Sequence, residues 1–444
     1  MEKNQTSGSV FQTILQFSIP YLFSYFLQTL YGMADLYMVG RYSGVNHITA
    51  VSIGSQVMHM LTVMIVGLAM GATVTIAKAV GAKKEKEASL AIGNTAVLFL
   101  GLSIGFTAAL LFLVKPITAI MATPTEAVLG TASYLTICFL GIPFITAYNI
   151  ISSIFRGLGD SKSPMYFVAA ACVSNILLDY IFIRYFSLGA TGAALGTVIS
   201  QTLSVVFALF VILKHSAGIK LQKADFKPSP ITLKRILKIG VPVALQDTFI
   251  QVAFIVITII ANRRGLVDAA AVGIVEKIIG VVFLVPSTML SAVSALSAQN
   301  IGAKKEGRAR LTLRYAIFIT VGFGIAMSVF VQSAYGQLVG IFTEDSDVIL
   351  SGGQYLRSYI WDCVFAGIHF SFSGYFYACG KSGISFLHNI LSIVLIRIPG
   401  AYFASEYFAA SLFPMGLAAP AGSLLSVAVC AAAYLKIRNS EEKT

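Results

Sequence analysis

An all-α membrane protein, with twelve transmembrane helices in two parallel-repeat six-helix bundles, is the fold class that three observations predict. Apolar residues make up 57% of the 444-residue chain and charged residues only 11%, and mean hydropathy is +0.83; a soluble domain carries roughly 25% charged residues. The apolar residues gather into twelve stretches, each long enough to cross about 30 Å of hydrocarbon. The chain also repeats itself. Val80-Gly81-Ala82-Lys83-Lys84-Glu85 returns 221 positions later as Ile301-Gly302-Ala303-Lys304-Lys305-Glu306, and Ile19-Pro20 is answered by Val241-Pro242. Tyr134-Leu135 is answered by Tyr355-Leu356, and Gly159-Asp160-Ser161 by Gly380-Lys381-Ser382. A barrel is excluded, because its strands would be short and strictly alternating.

The stretches follow in order. The first, 13–39, is too long and too weakly charged at its flank for a cleavable signal, and it carries Pro20 and Asp35. The second, 48–77, holds Gly67 and Gly71, small residues that let helices pack closely. The third is 90–113; the fourth, 128–155, contains Pro143; the fifth, 163–183, contains Asn175 and Asp179. The sixth, 190–213, opens among Gly189, Gly192 and Gly196, again read as packing residues. Six more follow at 232–261, 269–298, 311–332, 348–378, 383–405 and 413–435, and Pro242, Pro286 and Pro399 are expected, like Pro20 and Pro143, to kink their helices. Between the halves, 214–231 is basic and holds Pro228 and Pro230, so it reads as a linker. The expected domains are therefore 1–213, a linker at 214–231, and 232–444. Six spans before and six after give both halves the same orientation, with the natural site in the cleft between them.

The net charge of +12 does not point to nucleic acid, because of where the charge lies. With the N-terminus inside, 22 basic residues fall on inner segments, from Lys3 through Lys214, Lys220, Lys223 and Lys227 to Lys436, Arg438 and Lys443. Five fall on outer segments: Arg41, Lys115, Arg184, Arg263 and Arg264. That asymmetry orients a membrane protein with both termini cytoplasmic. Cys138, Cys172, Cys363, Cys379 and Cys430 show no metal spacing and read as small core residues. No enzyme pattern is present: Gly157-Leu158-Gly159 lacks the spacing of a nucleotide loop, and the five histidines are scattered.

An ionisable group inside a span is costly and points to function. Gln28, Tyr31 and Asp35 recur on one face of the first helix, Asn175 and Asp179 share a face of the fifth, and Thr197 lies near the start of the sixth. Counted at about 1.5 Å per residue, Asp35, Asp179 and Thr197 all lie roughly 8–10 Å below the same helix ends. Two carboxylates, an amide and a hydroxyl at one level suit a hard cation, or a proton held between two carboxylates that cannot both ionise easily. The second half lacks this set, with Ile257 where Asp35 would recur. It has instead Asp247, Gln246, Gln251, Glu276, Lys277, Trp361, Asp362, His369, His388 and Arg397, read first as internal ion pairs and second as substrate contacts. Tyr31, Tyr37, Met64, Phe283 and Met289 are the candidates for a soft, aromatic cavity wall.

Twelve spans in parallel halves, Pro20 and Asp35, the repeated Gly-Ala-Lys loop and the Gly157–Asp160 turn together resemble the multidrug and toxic compound extrusion (MATE) family. The resemblance implies a V-shaped pair of bundles and export of organic, often cationic compounds, driven by inward flow of H+ or Na+. It places the coupling carboxylate at Asp35, with Asn175, Asp179 and Thr197 completing a cation site. It places Gln28, Tyr31, Tyr134, Asn149 and Ser152 on an N-terminal cavity. Two acidic positions of NorM-like members are Ile250 and Lys381 here, which brings the chain closer to the DinF-like branch.

The function expected is therefore a secondary antiporter, exporting an organic cationic or amphipathic solute in exchange for a proton or, second, sodium. No other cofactor, no nucleic acid and a monomer in the inner membrane are expected. A flippase for lipid-linked precursors or polysaccharides is the alternative, and a channel-like binding protein the third reading.

Overall fold

The computed structural model describes residues 5–215 and 221–441. Lys3, Lys220 and Lys443 lie outside them, as do the side chains of Lys214 and His215. All regular elements among the described residues are helical. Among the described residues ten helices are long and apolar enough to cross a membrane: Val10–Tyr42, Val45–Gly81, Glu85–Ile120, Lys162–Tyr185, Gly189–Ile212, Pro230–Arg263, Leu266–Gly302, Glu306–Gly340, Ser382–Tyr407 and Phe413–Asn439. An eleventh crossing is the pair Thr125–Leu140 and Ile142–Gly157, bent by 52°. The tenth expected stretch forms two shorter helices, Ser346–Tyr359 and Asp362–Ala378. Counting these pairs as the fourth and tenth spans gives the twelve-helix order.

Most helices overrun the apolar stretches that announced them. The third was expected over 90–113 and runs Glu85–Ile120. Hydropathy marks the part that must avoid water, whereas a helix continues through polar turns that its ends favour; Glu85 and Glu87 sit in the first turn, where the helix dipole stabilises them. The fourth span is not one helix, as expected, but breaks at Gly141. A Cβ there would strike the Val198 side chain, so the bend brings backbone against the sixth span. The fifth and eleventh spans each contain one π-helical turn, Tyr180–Tyr185 and Ile393–Arg397. Such turns occur mostly where a side chain must be re-aimed at a functional site.

The two repeats fold alike at their turns. Lys83 and Lys304 both take a left-handed φ of 58°. Lys84 N–H then bonds Ala79 O, as Lys305 N–H bonds Asn300 O. Gly159 and Gly380, with φ of 88° and 74°, close the matching later turns.

The chain forms two compact units, one of Met1–Gln5 with Ile19–Gly240 and one of Thr6–Ser18 with Val241–Thr444. These depart from the expected borders at 213 and 232. The first and seventh spans each belong to both units, and the borders within them fall at Ile19-Pro20 and beside Val241-Pro242. A proline has no N–H to bond the carbonyl four residues back, so each shared helix is weakest there.

In the first unit, Val39, Leu61, Phe99, Leu135 and Ile142 are among the residues of one apolar core, and the described part of the linker is tied down. Buried Asn94 donates to the carbonyls of Asp225 and Lys227, each at 3.2 Å, and accepts from Ser229 N–H at 2.6 Å. In the second unit, Val272, Val275, Leu356 and Tyr359 belong to the corresponding core. Phe112, Leu177 and Phe318 are exposed; a lipid bilayer solvates such residues where water would not. None of the five cysteines is joined in a disulfide among the described residues.

Candidate functional site

The spacing of Gln28, Tyr31 and Asp35 sets them on one side of the first span, and the structure closes the fifth and sixth spans against that side. Asp35 is 5% exposed, Asn175 1% and Asp179 0%. Thr197 Oγ1 donates to Asp35 Oδ2 at 3.2 Å. The carboxyl of Asp179 and the amide of Asn175 stand close enough to Asp35 to act on it electrostatically. Of the three residues that depth matched, Thr197 bonds Asp35 directly and Asp179 lies beside it.

The site is rich in polar atoms and poor in bonds. Asp35 Oδ1, both carboxyl oxygens of Asp179 and both amide atoms of Asn175 are buried without a hydrogen-bond partner in the protein. Each orphaned group costs about 1–3 kcal/mol. Two ionised carboxylates are acceptors only and cannot bond each other. A single proton shared by Asp35 and Asp179 would satisfy two of these oxygens, and a cation among their oxygens, Asn175 Oδ1 and Thr197 Oγ1 would satisfy more, though neither supplies an acceptor to Asn175 Nδ2.

Gly196 makes room for this arrangement. A Cβ at Gly196 would collide with Asp179 Oδ1. Sequence reasoning took Gly196 as an ordinary packing residue; its place one residue before Thr197 was the available signal. Gly196→Ala is expected to leave the protein inserted, to cost about 1–3 kcal/mol through overpacking, and to lower export by displacing Asp179. Thermal unfolding and vesicle export check this together, and wild-type values in both would refute it.

The cavity candidates are dispersed. Tyr31 stands beside Gln201 and within electrostatic reach of Asp35, as does Tyr134. Tyr134 is only 3% exposed and its hydroxyl is 3.1 Å from Ser55 Oγ. Gln28 Nε2 donates to Tyr148 OH at 3.5 Å, and Tyr148 was not singled out from sequence. Asn149 donates to Ile145 O at 2.8 Å, Ser152 Oγ is buried without a partner, and Met64 is half-buried in the first core. Met289 belongs to the other unit, where Ser18 Oγ donates to its sulfur at 3.8 Å. Phe283 is half-buried and edge-on to Phe370, whereas Tyr37 is 67% exposed.

Of the second-half polar set, Arg397 pairs with fully buried Asp362 at 3.3 Å. Thr258 Oγ1 donates to Glu276 at 3.4 Å, Gln246 Nε2 to Asp247 at 3.5 Å, and Lys277 is exposed. Ser373, Ser385 and Ser423, missed from sequence, bond His388, Gln246 and His369. The 7, 4, 4 spacing of Asp362, His369, Ser373 and Tyr377 was the signal for one shared helix face.

Comparison with known proteins identifies the family and the fold. The MatE family model matches the chain twice, over residues 20–181 and 242–403, so each copy opens at one of the repeated prolines. The probable multidrug resistance protein YpnP of Bacillus subtilis is 28% identical over 436 residues, covering 96% of this chain and 95% of its own. The multidrug export protein MepA of Staphylococcus aureus is 27% identical over 402 residues, 90% of this chain and 88% of its own. A solved outward-facing multidrug resistance MATE transporter of the MOP superfamily shares the fold with a TM-score of 0.93, at 23% identity, over 99% of this chain and 98% of its own. The chain belongs to the MatE family, and these bacterial relatives are named as multidrug resistance and multidrug export proteins.

Proposed function

We propose that the protein is a secondary antiporter that exports organic cations or amphipathic compounds in exchange for a proton bound between Asp35 and Asp179. The observation that carries this is the buried pair of carboxyls within electrostatic reach of each other, with one hydrogen bond from Thr197 and five orphaned polar atoms among Asp35, Asn175 and Asp179. The names of the bacterial relatives, multidrug resistance and export proteins, support the substrate class. An occupied site stabilises one packing of the first, fifth and sixth spans over another. A coupling ion drives export only through such a difference in affinity between two states.

A proton is favoured over sodium because two buried carboxyls within electrostatic reach of each other cannot easily both ionise, and one proton between them relieves that. Ile250 and Lys381, where NorM-like members are acidic, support the DinF-like branch. The acidic set argues against the flippase alternative, whose anionic cargo would need a cationic cavity. Inner-membrane location with cytoplasmic termini follows from the basic residues, and a monomer from a site enclosed in one half.

One reconstitution tests these points. The chain is placed in vesicles, its orientation read by labelling Lys223→Cys from the inner side, and its copy number by photobleaching steps. Flat aromatic cations are loaded and the pH and sodium gradients are imposed separately. Export under the pH gradient alone is expected; equal export with sodium alone and the pH gradient collapsed would reassign the ion. Competition by anionic solutes only would move the flippase ahead.

A further inference from the structure

The segment that leads into the seventh span, 221–240, carries one acid, and the fold turns that acid inward. Lys223–Phe226 forms a tight helical turn. Buried Asp225 closes it by accepting the Gln222 N–H at 2.8 Å. The turn is pressed on the third span: a Cβ at Gly93 would strike the Asp225 carbonyl. Next to Gly93, the side chain of Asn94 holds the carbonyls of Asp225 and Lys227 and the Ser229 N–H. Pro228 and Pro230 stiffen the chain between the turn and the helix. Further on, Gly71 and Gly240 let the second and seventh spans meet backbone to backbone, at Ile236 O and Leu68 O. The segment is a fixed strap from end to end.

Its outer surface mixes cations with apolar side chains. Lys223, Lys227 and Lys234 are exposed, and none of them pairs with an acid among the described residues. The nearby Glu87 is already shared by Lys84 at 2.8 Å and Arg235 at 3.8 Å. Leu221, Phe226 and Ile231 are exposed between the lysines. Where the helix begins, Ile231, Lys234 and Lys238 share a face by their spacing of three and four, turned away from buried Thr232, Ile236 and Ile239. Orienting the chain in a membrane requires only the number of basic residues. It does not require that the one acid be hidden or that apolar side chains stand among the bases. A bilayer interface suits both features, because apolar groups enter the headgroup–acyl boundary while lysine stems reach back to the phosphates. A nucleic acid or an acidic protein would match the charge but leave Leu221, Phe226 and Ile231 against water.

We infer that this strap is a binding platform for anionic phospholipid headgroups, in the inner leaflet on the orientation proposed above. Each lysine ammonium offers three donors to phosphate oxygens. Clustered bases beside a membrane helix concentrate anionic lipids in this way. The Asn94 clamp orders the strap in advance, so binding loses little chain entropy. The platform runs without interruption into the seventh span, and a bound headgroup therefore holds the start of that helix against the second and third.

The test is thermal unfolding of the full chain in neutral detergent, titrated with dioctanoyl phosphatidylglycerol, dioctanoyl phosphatidylcholine or glycerol phosphate. Phosphatidylglycerol alone is expected to raise the midpoint, and to do so less as salt is added. An equal rise with phosphatidylcholine would remove the role of charge, and an equal rise with glycerol phosphate would make this a site for soluble phosphate; either overturns the platform. So would tighter binding of a short DNA oligomer than of phosphatidylglycerol. A lysine at an anionic lipid surface is worth about fivefold in affinity, so Lys223→Gln, Lys227→Gln and Lys234→Gln together should weaken phosphatidylglycerol binding roughly a hundredfold. Removing equal charge elsewhere, by Lys304→Gln, Lys381→Gln and Lys436→Gln, should leave binding unchanged; an equal loss there would reduce the effect to net charge and overturn the site. Asn94→Ala removes the clamp but no charge, and weaker binding is expected; wild-type affinity would refute the ordered strap. All of these readouts are taken without transport and without Asp35, so failure of the antiport reading would leave them standing.

Discussion

Asp35→Asn is expected to abolish gradient-driven export while the protein stays folded and inserted. The amide can still accept from Thr197 through Oδ1 and donate to Asp179 through its NH2, so the packing of the first, fifth and sixth spans survives. It cannot release and rebind a charge. Coupling energies between two bound species are commonly about 1–3 kcal/mol, or roughly 5–150-fold in affinity, and removing that difference leaves nothing for the gradient to work on. Export against a gradient should fall to the background of empty vesicles, whereas exchange of labelled for unlabelled substrate, which needs no ion, should persist. Asp179→Asn should behave similarly, since it removes the other half of the shared site. Wild-type uphill export by Asp35→Asn would sink the coupling role; loss of exchange as well would point to a misfolded variant.

The largest expected effect on stability is at the other end of the chain. Arg397→Met leaves Asp362, fully buried at 0% exposure, without the guanidinium that faces it at 3.3 Å. Breaking one partner of a buried pair costs about 3–5 kcal/mol, because the remaining charge is stranded, whereas replacing both with apolar residues is often neutral. The Arg397→Met unfolding midpoint in detergent should therefore drop sharply, and the double variant Asp362→Leu with Arg397→Met should recover most of the loss. Gly422 shows how closely the arginine is held, since a Cβ there would meet its Cγ and the Ser392 hydroxyl. A single variant as stable as the wild type would mean that Asp362 is neutral or otherwise compensated, and the ion pair incidental.

Much of this molecule was legible in one dimension. Hydrophobic length fixes that segments span, the 221-residue repeat fixes two like halves, and helical spacing puts Gln28, Tyr31 and Asp35 on one face. Depth counted from the helix ends brought Asp35, Asp179 and Thr197 to one level, and in the structure Thr197 bonds Asp35 with Asp179 and Asn175 buried nearby. All of these depend on distances along a single helix, which sequence sets directly. What the sequence left open depends on how one helix is turned and pressed against another. The bend at Gly141 exists because Val198 lies beneath it, and Gly196 matters because Asp179 is seated on it. The buried serines Ser373, Ser385 and Ser423 bond side chains from other helices, across separations such as 139 residues between Ser385 and Gln246. A serine in an apolar helix most often bonds its own backbone four residues back, as Ser371 does to Gly367. Only the packing of the seventh, tenth, eleventh and twelfth spans decides which serines instead face a histidine, because a helix's rotation about its axis is set by all its neighbours at once.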